Sequence, residues 1–332
     1  MTPSLLTDLG FPELKEVTGR ASIADLFQAK ERCGIYVLAF GNGEYYAGQA
    51  VDVVRRFGDH RKNYDDISHM TFQQVAQPDL NRVEQHLIHT LEASGFLLRN
   101  IVFMSHVQGE RDLDLVVTPE EQEQWLEGTL LSDDGPHVED QSLRRRYGRK
   151  YASFQALPLA QDALKVLHRY LTDMIPAPRR TELAFWSLTC RPPSNDVGLM
   201  PYYRVNLNMQ EVLVVFEEAG ELVASFHLAS SPFAELLGET WAQQLADQGW
   251  EFSDHAYAPG GYDQFNFIAV GVQEIMAILE NSTAAAGMCL MNLRLMRKGA
   301  TKYSRYHCLG LVDAALELTG TVESDHPTLG MT

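Results

Sequence analysis

The chain has 332 residues, 45% hydrophobic and 21% charged, with 27 lysines and arginines against 44 aspartates and glutamates for a formal net charge of −17. This composition supplies a buried core and excludes a disordered polyelectrolyte, and the length suits two domains. The longest apolar runs, such as Ile35 to Phe40 and Val212 to Phe216, fall far short of the ~20 residues that cross a bilayer, so no membrane span is expected.

Residues Met1 to Asp8 reach an acid with no basic residue ahead of an apolar run, which is unlike a secretory signal, and a cytoplasmic protein is expected. Cys33, Cys190, Cys289 and Cys308 are too scattered for a disulfide framework or a zinc site and read as reduced, mostly buried thiols. Gly34 to Phe40 then alternates as a strand, meets the turn Gly41-Asn42-Gly43, and continues into a second strand over Glu44 to Gln49. Strand-forming residues on both sides of an Asn-Gly pair predict a hairpin, with Tyr36 and Tyr46 on neighbouring strands. Val51 to Tyr64 reads as a helix with Val53, Phe57 and Tyr64 along its apolar stripe. Arg56 and His60, four residues apart on its flank, can reach one common ligand.

Met70 to Ala76 is a candidate third strand, and Pro78-Asp79 opens a second helix with Asp79 as its N-cap. Leu80, Val83, Leu87, Ile88 and Leu91 recur along that helix at helical spacing, and Glu84 lies inside their stripe. A carboxylate on a buried face is costly unless it is paired or holds a metal. His86 and His89 point to other faces and read as surface residues. Gly95 stops the helix, and Asn100 follows shortly after it.

These residues resemble the GIY-YIG endonucleases. The first signature is complete as Gly34-Ile35-Tyr36, and the second reads Tyr46-Ala47-Gly48, with alanine at a packing position where isoleucine is usual. The family places an arginine eight residues past the second glycine and a histidine four further on, where Arg56 and His60 stand. It also has a glutamate on the later helix and an asparagine soon after, matching Glu84 and Asn100. The resemblance covers about residues 30–105. It implies a small three-stranded antiparallel sheet flanked by helices, within an α+β chain, and divalent-metal-dependent hydrolysis of phosphodiesters in nucleic acid, with DNA the expected form.

The chemistry requires a nucleophilic water, neutralisation of charge on the phosphoryl oxygens and stabilisation of the leaving oxygen. By the resemblance, Glu84 anchors Mg2+ or Mn2+, which prefers oxygen ligands and keeps several waters. Arg56 donates to a phosphate oxygen, for which a guanidinium fork is suited, although an arginine beside an apolar stripe is by itself a solvated flank. His60 draws a proton from a tyrosine. Tyr36 and Tyr46 are the base and the positioner of the water; the sequence does not distinguish the two roles. Tyr36 is favoured as base with Tyr46 as its partner, and Tyr45, on the opposite face, is the control for an aromatic that only packs. Asn100 orients Glu84, completes the pocket or simply caps a helix end. Gly34 and Gly48 allow close backbone approach.

Residues 110–140 hold eleven acidic groups and one basic, and residues 141–151 hold five basic groups and none acidic. A domain boundary is therefore expected there, with a nuclease-like domain at 1–109, an acidic then basic linker at 110–151 and a recognition domain at 152–332. Arg144, Arg145, Arg146, Arg149 and Lys150, interleaved with Tyr147 and Tyr151, are candidates for gripping nucleic acid. Alternatively they neutralise the acidic stretch, and Glu110 to Asp140 in turn would shield basic groups until substrate displaces it.

Beyond Pro158, the pattern predicts a helix over Leu159 to Met174 and strands at Phe185–Cys190, Tyr203–Asn208, Glu211–Glu217 and Glu221–Leu228. A helix from Ser231 to about Gln248 and another over Gly271 to Ala286 follow, making a second α+β domain. No acid occurs between Asn281 and Val312, where Arg294, Arg297, Lys298, Lys302 and Arg305 form a second candidate nucleic-acid strip. This domain is also where a protein partner or a second copy would bind. Two other readings stand beside the endonuclease: a noncatalytic nucleic-acid- or protein-binding module that keeps the nuclease fold, favoured by the net charge, and an enzyme acting on a small phosphodiester.

Overall fold

The computed structural model describes residues 3–100, 104, 111–193, 200–253 and 257–318. Within it the chain is mixed α and β and divides into two compact units, Met1–Arg111 with Ala256–Gln264, and Asp112–His255 with Phe265–Thr332. No helix among the described residues is long and apolar enough to cross a membrane.

The first unit begins with α1 (Pro3–Asp8) and carries a sheet of β1 (Lys15–Glu16), β2 (Gly34–Phe40), β3 (Tyr45–Ala50) and β4 (Ile67–Gln74). The spatial order is β1-β4-β2-β3 with every neighbouring pair antiparallel. The three strands anticipated from the residue pattern are joined by the two-residue β1 beyond β4. The hairpin turn depends on Gly43, whose φ of +86° lies where a side chain is disfavoured.

Central β2 is buried along its whole length because both of its faces are covered. Ile35 and Val37 pack with Leu80, Leu87, Ile88 and Leu91 of α3 (Leu80–Ala93). Tyr36, Leu38 and Phe40 pack with Val53 and Phe57 of α2 (Val53–Asn63). The period of two thus separates two small cores, one for each helix.

Asp52 caps α2 by accepting from the backbone of Val54 and Arg55. Asp79 makes no such bond. The turn Gln77–Asp79 is a 3-10 helix running into α3, and φ −92°, ψ −8° at Asp79 is not the extended conformation that a side-chain cap uses. Gly95, with φ +79°, follows the end of α3 as expected.

The second unit holds six strands, β5 (Trp186–Cys190), β6 (Tyr203–Leu207), β7 (Gln210–Glu218), β8 (Glu221–Leu228), β9 (Glu251–Ser253) and β10 (Phe265–Val270). They form one antiparallel sheet in the order β5-β6-β7-β8-β10-β9. Its helices are α4 (Pro119–Leu126), α5 (Gln141–Gln155), α6 (Ala160–Met174), α7 (Pro178–Thr181), α8 (Ser231–Leu237), α9 (Trp241–Asp247), α10 (Val272–Glu280), α11 (Ser282–Arg297) and α12 (Leu309–Leu316). Of these, α5, α10, α11 and α12 lie close along sheet strands, and α6 reaches the sheet through the stacked rings of Tyr170 and Phe226 and the Tyr203 hydroxyl on the Ala163 carbonyl.

Three expectations are corrected here. The segment 110–151 is not a linker. From Asp112 onward it belongs to the second unit, with Leu113, Val117, Trp125, Leu143 and Tyr147 in that core, while Glu110 lies outside the described residues. The helix read from Ser231 to Gln248 breaks at Gly238, where φ is +73°. The helix read over Gly271 to Ala286 breaks at Asn281, whose extended backbone lets its side chain cap a new helix through Thr283 and Ala284.

Candidate active site

In the first unit, Tyr36, Tyr46, Arg56 and His60 come together on the α2 side of the sheet. Tyr36 pairs with Gly48 and Leu38 with Tyr46 across the strands, so the two tyrosines are diagonal neighbours. Their rings stack with centroids 6.2 Å apart and planes 20° apart. Gly48 makes this possible. A Cβ there would lie 2.5 Å from the Tyr36 hydroxyl and 2.8 Å from a Tyr46 ring carbon. Gly34 is equally constrained, since a Cβ would lie 2.1 Å from the Gln73 carbonyl oxygen.

From α2, His60 Nε2 lies 2.6 Å from Tyr36 Oη, and Arg56 Nε donates to the same oxygen at 3.2 Å. Tyr46 and Tyr64 pack against the imidazole, with ring centroids 4.7 Å and 6.0 Å away. His60 is only 6% exposed, and burial together with the Arg56 cation lowers its pKa to about 4, so it is neutral at pH 7. Burial raises both tyrosines above the usual phenol value against the opposing pull of Arg56. The resting site is therefore two neutral phenols and a neutral imidazole around one fixed cation.

Glu84 arrives from the opposite side of the sheet by way of the edge of β3. The outward-facing backbone N–H groups of this edge strand are each taken up. Tyr45 N donates to Leu97 O at 2.8 Å, Ala47 N to Asn100 Oδ1 at 3.0 Å and Gln49 N to Glu84 Oε1 at 3.1 Å. Gln49 Nε2 also donates to Glu84 Oε2 at 2.8 Å. The carboxylate is 9% exposed; burial raises its pKa, opposed by the Gln49 hydrogen bonds and by Arg56. Its charge in turn raises both phenols, so all five groups share one electrostatic neighbourhood.

Asn100 occupies a different place. Its amide pairs with Ala47 like a peptide group, Nδ2 donating to Ala47 O at 2.6 Å. It thus continues the edge cover begun by Leu97 and Arg99, rather than orienting Glu84 or capping a helix. The control residue Tyr45 packs on Phe96, with ring centroids 5.0 Å apart. His86 is exposed, whereas His89 is half-buried with its ring 4.8 Å from that of Tyr262 in the same unit.

Glu84 fits a single hard cation. Each carboxylate oxygen accepts one hydrogen bond from Gln49 and keeps lone-pair capacity for another partner, which suits a metal that retains most of its waters. A hollow of about 440 Å³ is lined by Gln49, Ala50, Val51, Asp52, Arg55, Arg56 and Asp59, and Glu84, Tyr36, Tyr46 and His60 are not among its lining residues. Among the described residues, the three-residue cluster with metal-ligand types is elsewhere, at His137, Asp313 and Glu317. Arg144 and Arg179 both bond that aspartate, making it a poor cation site.

The basic candidates of the second unit do not form a strip. Arg294 and Lys298 are buried, and Arg297 donates at 2.7 Å to both Asp114 and Gln122. Arg144 pairs with Asp313 at 2.7 Å, and Lys150 donates to the Arg191 carbonyl. The exposed ones are Arg145, Arg146, Arg149, Lys302 and Arg305, the last with its guanidinium 4.7 Å from the Tyr306 ring centroid. The acidic stretch is no removable shield either. Glu121 pairs with Arg180, Asp133 accepts from the backbone of Arg179 and Arg180, and the apolar residues between them belong to the core.

Sequence reasoning missed Gln49, which donates to the Glu84 carboxylate, and Asn81, which accepts from the Gln49 amide, although strand alternation places Gln49 on the face toward α3 and a polar residue there is a usable signal. It also missed Arg99, which pairs with Glu44 and Asp66 and lies with its guanidinium 3.7 Å from the Phe40 ring centroid. In comparisons with protein-family models, curated proteins and solved structures, nothing matches this chain.

Proposed function

We propose that the first unit is a divalent-metal-dependent endonuclease that hydrolyses phosphodiester bonds in nucleic acid, with DNA the favoured form, in the cytoplasm. The observation that carries this reading is the cation of Arg56, whose guanidinium is directed at two phenols instead of a carboxylate, beside a buried carboxylate with open lone pairs. The groups that Arg56 hydrogen-bonds are neutral, which leaves its fork available to an anion, and a planar fork suits phosphate.

In this reading Glu84 would hold Mg2+ or Mn2+, which when bound would supply positive charge to stabilise the phosphate and the leaving oxygen. Arg56 binds a phosphoryl oxygen. Tyr36 takes the proton of the attacking water while its own proton passes to His60 Nε2, for which the 2.6 Å contact is suited. Phosphate charge beside Arg56 offsets the cation that depresses the imidazole and makes His60 a better acceptor at that moment. Tyr46 packs beside both groups and holds the phenol pair in register. Exposed arginines of the second unit, or its contact with a protein partner or second copy, would supply recognition.

The test is cleavage of plasmid, single-stranded, branched and RNA substrates with magnesium or manganese. Wild-type protein should cut at least one of them, and Glu84→Ala should abolish cutting with an unchanged circular dichroism spectrum. The second reading, a noncatalytic binding module, is favoured by the use of Glu84 and Asn100 as caps on the β3 edge. Binding that survives chelation and Glu84→Ala, with no cutting of any substrate, would establish it instead.

A further inference from the structure

We infer that Gln49 is a positioning residue that sets the metal affinity of Glu84, a statement that rests on the proposed metal site. Its backbone N–H and its side-chain amide reach different oxygens of the same carboxylate, at 3.1 Å and 2.8 Å. One residue at a strand edge thereby fixes both the place and the rotation of the carboxylate plane.

The second amide hydrogen of Gln49 goes to Asn81 Oδ1. Asn81 and Glu84 both lie on α3, Asn81 one turn ahead, so the amide is braced between two side chains of one helix face. The arrangement uses each Nε2 hydrogen once and blocks neither carboxylate oxygen completely. Without it, a buried carboxylate on a long side chain would choose among rotamers before it could meet a cation. Hydrogen-bond partners of this kind around a metal ligand set its affinity by orienting it. Gln49 also lines the hollow that holds Arg55 and Arg56.

The test is Mn2+ affinity of the full chain, read from the free-ion electron paramagnetic resonance signal, for wild type, Gln49→Ala, Asn81→Ala and Glu84→Ala. Gln49→Ala should bind Mn2+ about tenfold more weakly than wild type. Cleavage by this variant should recover when Mn2+ is raised in proportion, which a disordered protein would not do. Asn81→Ala, at an exposed position, should show a smaller loss and decides the matter if Gln49→Ala fails to fold. Wild-type Mn2+ affinity in both variants, with binding lost in Glu84→Ala, would overturn the role of Gln49 and leave the metal site standing. Wild-type protein that binds no Mn2+ would overturn both.

Discussion

Arg56 in the first unit and Arg297 in the second both lie beside polar side chains, and their surroundings differ in one respect. Arg297 meets the carboxylate of Asp114 and the amide oxygen of Gln122, while Arg56 donates to a phenol and has another close by. Three other arginines of the second unit share the pattern of Arg297, with Arg144 and Arg179 on Asp313 and Arg180 on Glu121. A guanidinium neutralised by a carboxylate is part of the architecture. One faced by neutral hydroxyls keeps its charge for something that binds, and its field reaches the neighbouring titratable groups.

Breaking Arg56 should have the largest effect. Arg56→Ala should slow single-turnover cleavage by about 10²–10³, the range for losing a preorganised charge-stabilising donor, and Arg56→Lys should recover little because an ammonium lacks the fork. Unchanged cleavage in Arg56→Ala would erase the distinction between the two arginines. Arg297→Ala should instead cost stability, about 1–3 kcal/mol in urea denaturation, because Asp114 and Gln122 lose a charged hydrogen-bonding partner. Its affinity for nucleic acid should stay near that of wild type, and a marked fall would return Arg297 to the recognition surface.

The last effect is the pH dependence contributed by His60. Its folded pKa of about 4 lies below the unfolded value near ~6.5, so the unfolded chain binds the proton first as the pH falls. The stability contribution of neutral His60 is fully present above about pH 6.5 and is lost as the pH drops toward 4. Thermal denaturation between those limits should therefore fall less steeply with acid in His60→Gln than in wild type. Parallel curves for the two proteins would mean that Arg56 and burial do not act on this imidazole.

Much of the first unit was legible in the residue order because its signals are local. The Asn-Gly turn and the stripe of α3 each depend on neighbours close in sequence. The spacing of Arg56 and His60 on one helix placed both beside Tyr36. Asn100 is expected from the sequence to orient Glu84, complete the pocket or cap a helix end, yet its partner is Ala47, 53 residues away, and no local rule names it. The basic run of the second unit misled because composition shows charge without its partner. Leu143, Tyr147 and Phe154 in α5 had helical spacing that the surrounding arginines obscured.

The same rule, that a buried carboxylate must be compensated, applies to Glu84 and to Glu182, and the chain's own letters could flag only the first. Glu84 stands out within an apolar stripe of regular period. Glu182 sits in an irregular segment, and only the fold brings it to His307, whose Nε2 lies 2.9 Å away while Nδ1 accepts from Leu188 N. Periodicity along the chain thus determined which side chains of the first unit go inward and which helix carries the acid. Which partner each inward charge meets, phenol, amide, imidazole or opposite charge, was decided by long-range strand and helix packing, because compensation of a buried charge acts over a few ångströms of space and is indifferent to distance along the sequence.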